Sequence, residues 1–200
     1  MHTVSTELDP DPDEIVELAK RYGQPEVRSL ALEADEYLFQ TRHRRARSRR
    51  GEVVMVIEQI SGAVLVHRKG WYERGVYRLP TGGIDSGDLV ENTLFRELKE
   101  ETGLQGGHIR FLGIITCLLE YQSEELPFTS YVFHVLHPQG ELRIPKSKED
   151  ISDIREVPIG ELPAIAENLR NTAPPRVRWG HWRAIAHDVA HETLIPGSGR

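Results

Sequence analysis

The sequence predicts an α/β fold in which a mixed β-sheet lies between helices. Segments rich in β-branched residues, bounded by Gly, Pro and Ser, predict strands. These segments are residues 52–59, 63–67, 109–120, 130–136 and 149–157. Apolar residues at helical spacing predict one helix at 88–102, among the strands, and another at 159–169, after them. Strands on both sides of a helix favour a sheet that helices cover on both faces.

Two further helices are predicted ahead of the sheet. The first begins at Asp13 and ends at Gly23, and the second follows Pro25 and continues to Leu38. A last helix near the C-terminus is expected to bury its apolar side and expose its histidines. These elements would form N- and C-terminal helical extensions of the sheet domain. The paired N-terminal helices also suggest a homodimer as a hypothesis.

Length and composition indicate one domain with extensions. The chain has 200 residues, of which 38% are hydrophobic, enough for one sizeable core. We predict a helical extension and basic linker at residues 1–50, a central domain at 51–170 and a helical tail at 171–200. There is no apolar run of about 18 residues and no leader after Met1, which predicts a protein without a membrane span or secretory signal. A single cysteine, Cys117, expected to be buried in a strand, suits a reducing cytoplasm.

Charge is distributed unevenly along the chain. The formal net charge of −6 argues against general nucleic-acid binding, yet six arginines lie between Arg42 and Arg50. Such a run could steer an anionic, phosphate-bearing substrate or touch RNA. More often it is a solvated linker, which is the interpretation we favour here.

Three carboxylates crowd one face of the predicted helix at 88–102. Glu97, Glu100 and Glu101 lie within five residues, so their side chains are neighbours on the helix surface. Like charges in this arrangement repel, which predicts that a hard divalent cation, Mg²⁺ or Mn²⁺, neutralises them. Arg96 precedes Glu100 by four residues and could hold its carboxylate in place.

The residues that flank this helix predict where it begins and ends. Residues 80–83 are expected to form a turn in which the backbone can approach a ligand. Asp88 and Glu91 have the spacing of a capping box, and Gly103 is placed to end the helix in a left-handed conformation.

Together these positions resemble the signature of the Nudix hydrolase family. The matching residues are Gly82, Arg96, Glu97, Leu98, Glu100, Glu101, Gly103 and Leu104, with Asp88 where the family usually has Glu. The resemblance implies a Nudix-like α/β/α sandwich over roughly residues 51–169. It also implies hydrolysis of the pyrophosphate linkage in nucleoside diphosphate derivatives, such as nucleotide sugars, ADP-ribose or dinucleoside polyphosphates.

The same resemblance assigns roles to residues of this chain. Glu97, Glu100 and Glu101 would bind the metal, with a main-chain oxygen of Thr81 or Gly82 completing the coordination. Arg96 would orient the carboxylates. The general base stays open between a signature glutamate and a distant acid. The distant candidate is Glu149, and its competitors are Glu120, Glu124 and Glu125.

The substrate-binding residues are less clearly marked. Tyr121 lies 17 residues after Leu104, a spacing that resembles dinucleoside polyphosphate hydrolases, in which a ring can stack on a base. Arg68 and Arg78, near the Gly82 segment, could bind phosphate, although exposure is the default for arginine.

Three alternatives remain. One is a catalytically inactive Nudix-fold regulator that binds nucleotides, although all three signature glutamates are present. Another is a second metal site at His187, Asp188 and His191, which would need further ligands from other helices. The third, an isopentenyl diphosphate isomerase, requires a cysteine ahead of the signature, whereas Cys117 follows it.

Overall fold

The computed structural model describes residues 10–144 and 150–195. Its helices and strands follow the chain in an order that places one strand between the first two helices. They are α1 (Pro12–Tyr22), β1 (Glu26–Glu33), α2 (Glu36–Ala46), β2 (Arg49–Glu58), β3 (Ala63–Lys69), β4 (Thr81–Asp85), α3 (Val90–Thr102), β5 (His108–Tyr121), β6 (Glu124–Leu136), β7 (Ile151–Pro158), α4 (Leu162–Arg170) and α5 (Val177–Leu194).

The strands form one mixed sheet. Its order is β1-β5-β6-β2-β3-β7, and β4 pairs with β2 outside this path. The β1–β5 and β2–β6 pairs are parallel, whereas β5–β6, β2–β3, β2–β4 and β3–β7 are antiparallel. The predicted mixed sheet is therefore confirmed.

Helices cover both faces of the sheet, because successive residues of a strand point to opposite faces. On β2, Val53 and Met55 pack in a core that includes Leu18 of α1 and the apolar side of α3. Val54, between them, packs in the other core, which includes residues of α2, α4 and α5 such as Trp182. This arrangement is the predicted α/β/α sandwich. No helix in residues 10–144 or 150–195 is long and apolar enough to span a bilayer.

The second predicted helix is wrong in its first part. Residues 26–33 form strand β1, which pairs in parallel with residues 113–120 of β5. Leu30 and Leu32, two residues apart, pack against the core, so the period of burial is that of a strand. Pairing with a long neighbouring strand outweighs the weak helical spacing of this segment. The helix begins later, after Asp35, whose carboxylate accepts from the Leu38 N–H at 2.8 Å.

The end of α3 agrees with the prediction, but its start does not. Gly103 ends the helix with φ of 77°, as expected. Asp88 does not cap its start, since α3 begins at Val90. The cap comes instead from α1, where the Glu14 carboxylate accepts from the Val90 N–H at 2.7 Å. Arg50 donates to that carboxylate at 2.6 Å and to the main-chain oxygen of Asp88 at 2.8 Å.

Two predicted loops also prove to be strands. Residues 81–83, expected in a turn, belong to β4 and pair with β2, where Gly82 lies opposite Val53. The polar loop expected at residues 122–127 shortens to a tight turn at Gln122 and Ser123, with β6 beginning at Glu124. Cys117 is buried in β5, as predicted.

Candidate active site

Strand β4 and helix α3 approach each other closely at Gly82 and Glu97. A Cβ atom built on Gly82 would lie only 1.8 Å from Cγ of Glu97. The glutamate therefore occupies the space that a side chain at position 82 would need, so only glycine fits at that position. The contact fixes the Glu97 carboxylate against the backbone of residues 81–83.

Arg96 ties the acidic helix to the same strand. Its Nη1 donates to Oε1 of Glu97 at 2.7 Å and to Oε2 of Glu100 at 3.5 Å. Its Nη2 donates to the main-chain oxygen of Gly83 at 3.3 Å. The guanidinium thus has the geometry of a residue that orients two neighbouring carboxylates.

The three signature carboxylates differ in their surroundings. Glu97 and Glu101 are buried, whereas the side chain of Glu100 is 58% exposed. Oε2 of Glu101 lies 3.8 Å from Nδ1 of His67. Burial, followed by the charge of Arg78, lowers the pKa of His67 well below its usual value, so this imidazole is neutral.

The donor set of this region fits a hard divalent cation in its chemistry. Carboxylate and main-chain oxygens are the ligands that Mg²⁺ prefers, and Glu97 lies in van der Waals contact range of the β4 backbone. In the described parts of the chain, however, no three acids, imidazoles or thiols are already close enough together to hold an ion.

A cleft of about 300 Å³ opens beside Gly82 and Glu97, and we call it the basic cleft. Two acidic residues, Glu52 and Glu97, line it together with seven basic ones. The basic residues are Arg42, Arg44, Arg45, Arg49, Lys69, Arg78 and Arg183. A concave site with such an excess of positive charge attracts anions that carry several charges.

The arginine run at 42–50 is therefore not a solvated linker. Its first part lies in α2 and its last two residues begin β2. Four of its arginines line the basic cleft, and Arg50 holds the cap of α3. Of the two interpretations of the run, the structure agrees with the one that brings it near an anionic substrate.

A buried ion pair forms the floor of the basic cleft. Nη1 of Arg183 donates to both carboxylate oxygens of Glu52, at 2.7 and 2.9 Å, and Ser130 donates to the same carboxylate at 3.1 Å. Burial opposes ionisation of Glu52, but the charges of Arg183 and Arg42 outweigh it and hold its pKa below the usual value.

Arg42 lies beside this pair and is only 4% exposed. Its guanidinium carbon lies 4.7 Å from the ring centre of Trp182 and 5.3 Å from that of Phe128. Burial, with the charge of Arg183, lowers the pKa of Arg42 to about 9. The guanidiniums of Arg42 and Arg183 thus lie near each other at a buried position, which disfavours positive charge.

Sequence reasoning missed Glu52 and Arg183 as site residues and gave Arg42 no role of its own within the arginine run. Glu52 is a charged residue at the head of an apolar strand, and Arg183 interrupts an apolar helix. A charge in such a position rarely stays buried without a partner, which was the available signal. The partners themselves lie 131 positions apart in the chain, so spacing alone does not reveal them.

Arg78 and Thr81 lie at the cleft, as the sequence suggested. Arg78 is buried and donates to the Tyr72 hydroxyl at 2.6 Å, to the main-chain oxygen of Leu79 at 2.8 Å and to Thr81 Oγ1 at 2.9 Å. Burial lowers the pKa of Arg78, but the contact with Tyr72 and the charges of Glu101 and Glu52 outweigh burial and raise it. Arg78 is therefore a rigid, permanently charged part of the cleft wall.

Other candidate residues lie elsewhere. Arg68 lies on β3 opposite Asp153, and Tyr121, at the end of β5, packs 5.4 Å from the ring of Phe39. Neither is among the residues that line the basic cleft. The competing acids at residues 120, 124 and 125 lie at the β5–β6 turn. Glu149 lies outside the described residues.

The proposed second metal site in α5 does not form. His187 is buried, contrary to the expectation that it is exposed, and both its nitrogens are used. Its Nε2 accepts from the Leu79 N–H at 3.0 Å, and its Nδ1 donates to the main-chain oxygen of Arg183 at 2.9 Å. Burial lowers the pKa of His187 to about 3. Asp188 instead pairs with Arg170.

Known proteins resemble this chain in sequence and in fold. A family model described as the NUDIX domain matches residues 48–180. An RNA pyrophosphohydrolase of Baumannia cicadellinicola subsp. Homalodisca coagulata is 38% identical over 73 residues, which are 36% of this chain and 45% of the relative. The putative mutator protein MutT4 of Mycobacterium tuberculosis is 32% identical over 118 residues, which are 55% and 46% of the two chains. The matched part of this chain thus spans less than half the length of these relatives.

Two further comparisons extend over more of the chain. An ADP-ribose pyrophosphatase of Methanocaldococcus jannaschii is 27% identical over 128 residues, which cover 62% of this chain and 70% of the relative. The crystal structure of a mutator MutT protein from Bacillus halodurans superposes with a TM-score of 0.50 at 20% identity. That match covers 71% of this chain and 82% of the other, and it confirms the fold.

Proposed function

The chain belongs to the Nudix family, and from this premise we propose that it hydrolyses the pyrophosphate linkage of nucleoside diphosphate derivatives in a reaction that depends on a divalent metal ion. The observation that carries the proposal is the position of Glu97. Its carboxylate lies against the glycine backbone of β4 at the wall of the basic cleft. Acidic oxygens for a cation and basic groups for phosphates are thus adjacent, as cleavage of a phosphoanhydride requires.

The proposed metal ligands are Glu97, Glu100 and Glu101, with a main-chain oxygen of Thr81 or Gly82. Mg²⁺, or Mn²⁺ in its place, would neutralise phosphate oxygens and lower the pKa of a bound water molecule. Arg96 orients the carboxylates of Glu97 and Glu100, since its guanidinium reaches both. It is the proposed positioning residue of the site.

The remaining residues of the cleft would bind the substrate. Arg78 is held by three hydrogen bonds, so it can meet a phosphate oxygen without losing side-chain freedom at that moment. We assign phosphate binding to Arg78 ahead of Arg68, which does not line the cleft; Tyr121, the candidate for stacking on a base, does not line it either. Glu149 remains the proposed distant base, with a signature glutamate as the alternative.

The wider properties of the protein are proposals as well. Two of the relatives are named RNA pyrophosphohydrolase and ADP-ribose pyrophosphatase, and both names denote cleavage of a pyrophosphate linkage. We propose a small-molecule nucleotide as substrate, a cytoplasmic location and a homodimer as hypotheses. The division into residues 1–50, 51–170 and 171–200 also stays a prediction.

Metal-dependent hydrolysis with defined variants tests the proposal. Nucleotide sugars, ADP-ribose, dinucleoside polyphosphates and nucleoside triphosphates are incubated with Mg²⁺, and the products are identified by mass. Glu100→Gln and Glu101→Gln should each reduce kcat/KM by about 100-fold or more, because each removes a charge that serves the transition state. Glu36→Gln, on the exposed side of α2, is the control and should keep full activity. A folded protein that binds nucleotides but hydrolyses none of them would favour the regulator.

A further inference from the structure

The basic cleft holds more positive charge than a two-phosphate substrate needs. Arg78 and the carboxylate cluster already serve one phosphoanhydride at the β4 side of the cleft. The rest of the cleft lining adds Arg42, Arg44 and Arg45 of α2 and Arg183 of α5. A substrate with more than two phosphates would find further positive charge at these residues.

Arg42 and Arg183 are the buried members of this group. Their guanidinium carbons lie 4.7 and 4.0 Å from the ring centre of Trp182, so both positive charges lie against the same aromatic ring. Glu52 is a carboxylate partner of Arg183. The Nε atoms of Arg42 and Arg183 are buried and make no hydrogen bond within the described residues. A buried donor without an acceptor is costly, and an anion that supplies acceptors relieves that cost.

Building on the proposed function, we propose that Arg42 and Arg183 form a subsite for a phosphate that is not cleaved, with Arg45 at its mouth. The protein therefore selects substrates with a chain of three or more phosphates over substrates that contain only two. Phosphate oxygens match the planar donor edge of arginine, which binds them through paired hydrogen bonds.

A two-phosphate substrate would place an uncharged group in this subsite. In ADP-ribose, the atoms that follow the second phosphate belong to a sugar without charge. Glu52 offsets one of the two guanidinium charges, and a sugar hydroxyl cannot offset the other, so the mismatch leaves buried donors poorly satisfied. A phosphate in the subsite removes the free-energy cost of these unsatisfied donors, whereas a neutral sugar does not. The protein should therefore discriminate against such a substrate.

Binding in the absence of metal ions tests the subsite separately from hydrolysis. Inorganic tripolyphosphate and pyrophosphate are titrated into the full chain in the presence of a chelator. We expect tripolyphosphate to bind about tenfold more tightly. Arg42→Met should remove most of this difference, and so should Arg45→Gln, which lies on the exposed helix surface and keeps the test open if Arg42→Met does not fold. Arg47→Gln, an exposed arginine of the same run that does not line the cleft, is the matched control.

Kinetics then identify the source of the phosphate chain. The substrates are ADP-ribose, a nucleoside triphosphate, a dinucleoside tetraphosphate and a 5′-triphosphorylated oligonucleotide. We expect kcat/KM to be at least about tenfold higher for one of the last three than for ADP-ribose, and Arg45→Gln should reduce that ratio. A preference for ADP-ribose, or equal binding of the two inorganic anions, overturns the subsite. If the anions bind as expected and none of the compounds is hydrolysed, the proposed function fails and the subsite stands.

Discussion

Replacing Gly82 by alanine tests the contact on which the candidate active site is built. The added Cβ would lie 1.8 Å from Cγ of Glu97, 2.2 Å from its Cδ and 2.6 Å from its Cβ. Ordinary van der Waals contact begins at 3.4 Å, so Cγ would have to move by about 1.6 Å. Rotation of the glutamate side chain alone does not remove the clash, because it does not move Cβ, whose position is fixed by the backbone of α3. Strand β4 and helix α3 must therefore separate.

The expected effect on activity is larger than the effect on stability. A displacement of about 1 Å at a reacting group can cost about 100-fold in rate, so we expect kcat/KM to fall by at least that factor. Overpacking of this kind costs about 1–3 kcal/mol, which corresponds to roughly 2–10 °C in the melting temperature of a chain of this size. The protein should therefore remain folded at 25 °C.

The assay compares three proteins under one set of conditions. Metal-dependent hydrolysis, circular dichroism and thermal unfolding are measured for wild type, Gly82→Ala and Gly160→Ala. A Cβ added at Gly160 would meet no atom within 4 Å, and the residue has no positive φ, so its alanine variant should behave as wild type. Full activity of Gly82→Ala with an unchanged melting temperature would refute the view that Glu97 must lie against β4.

Three further predictions concern buried contacts. Glu14→Ala should lower the free energy of unfolding, measured by urea denaturation, by about 2–3 kcal/mol, because it removes the cap of α3 and the partner of Arg50. Glu17→Ala, at an exposed position of the same helix, should have no measurable effect. Equal effects of the two variants would contradict the capping role. Arg183→Met should lower the free energy of unfolding by about 3–5 kcal/mol, because it leaves Glu52 buried without this guanidinium. Adding Glu52→Leu should recover part of the loss, and additive losses would argue against the ion pair. His187 has a pKa of about 3 in the folded protein against 6.5 in the unfolded chain, so its contribution to the free energy of unfolding is complete above pH 6.5 and is lost as the pH falls towards 3. The loss should be about 1 kcal/mol per pH unit between pH 6 and 5. The free energy of unfolding of His187→Gln should depend less steeply on pH, and an unchanged slope would contradict this.

Local patterns predicted the central helix of the site well. Glu97, Glu100 and Glu101 lie on the predicted helix, and the helix ends at Gly103 as expected. Arg96 likewise reaches the carboxylate four positions further on. These features depend on contacts within a single helix, which sequence periodicity records directly.

Features that depend on distant segments were not predictable in the same way. Strand β1 exists because β5 offers it a partner, and the cap of α3 comes not from Asp88 but from Glu14, which lies 76 positions from Val90. The ion pair between Arg183 and Glu52 spans 131 positions. Tertiary contacts of this kind outweigh local propensity, and one sequence contains no direct record of them.

The parallel strand β1 has a practical consequence for anyone who expresses part of this chain. A fragment cut at the limits of the family match would begin at residue 48 and lack β1. Main-chain groups of β5 between Gly113 and Glu120 would then face water along an apolar edge. An unprotected edge of that kind recruits strands from other molecules, so such a fragment should precipitate where the longer chain stays in solution.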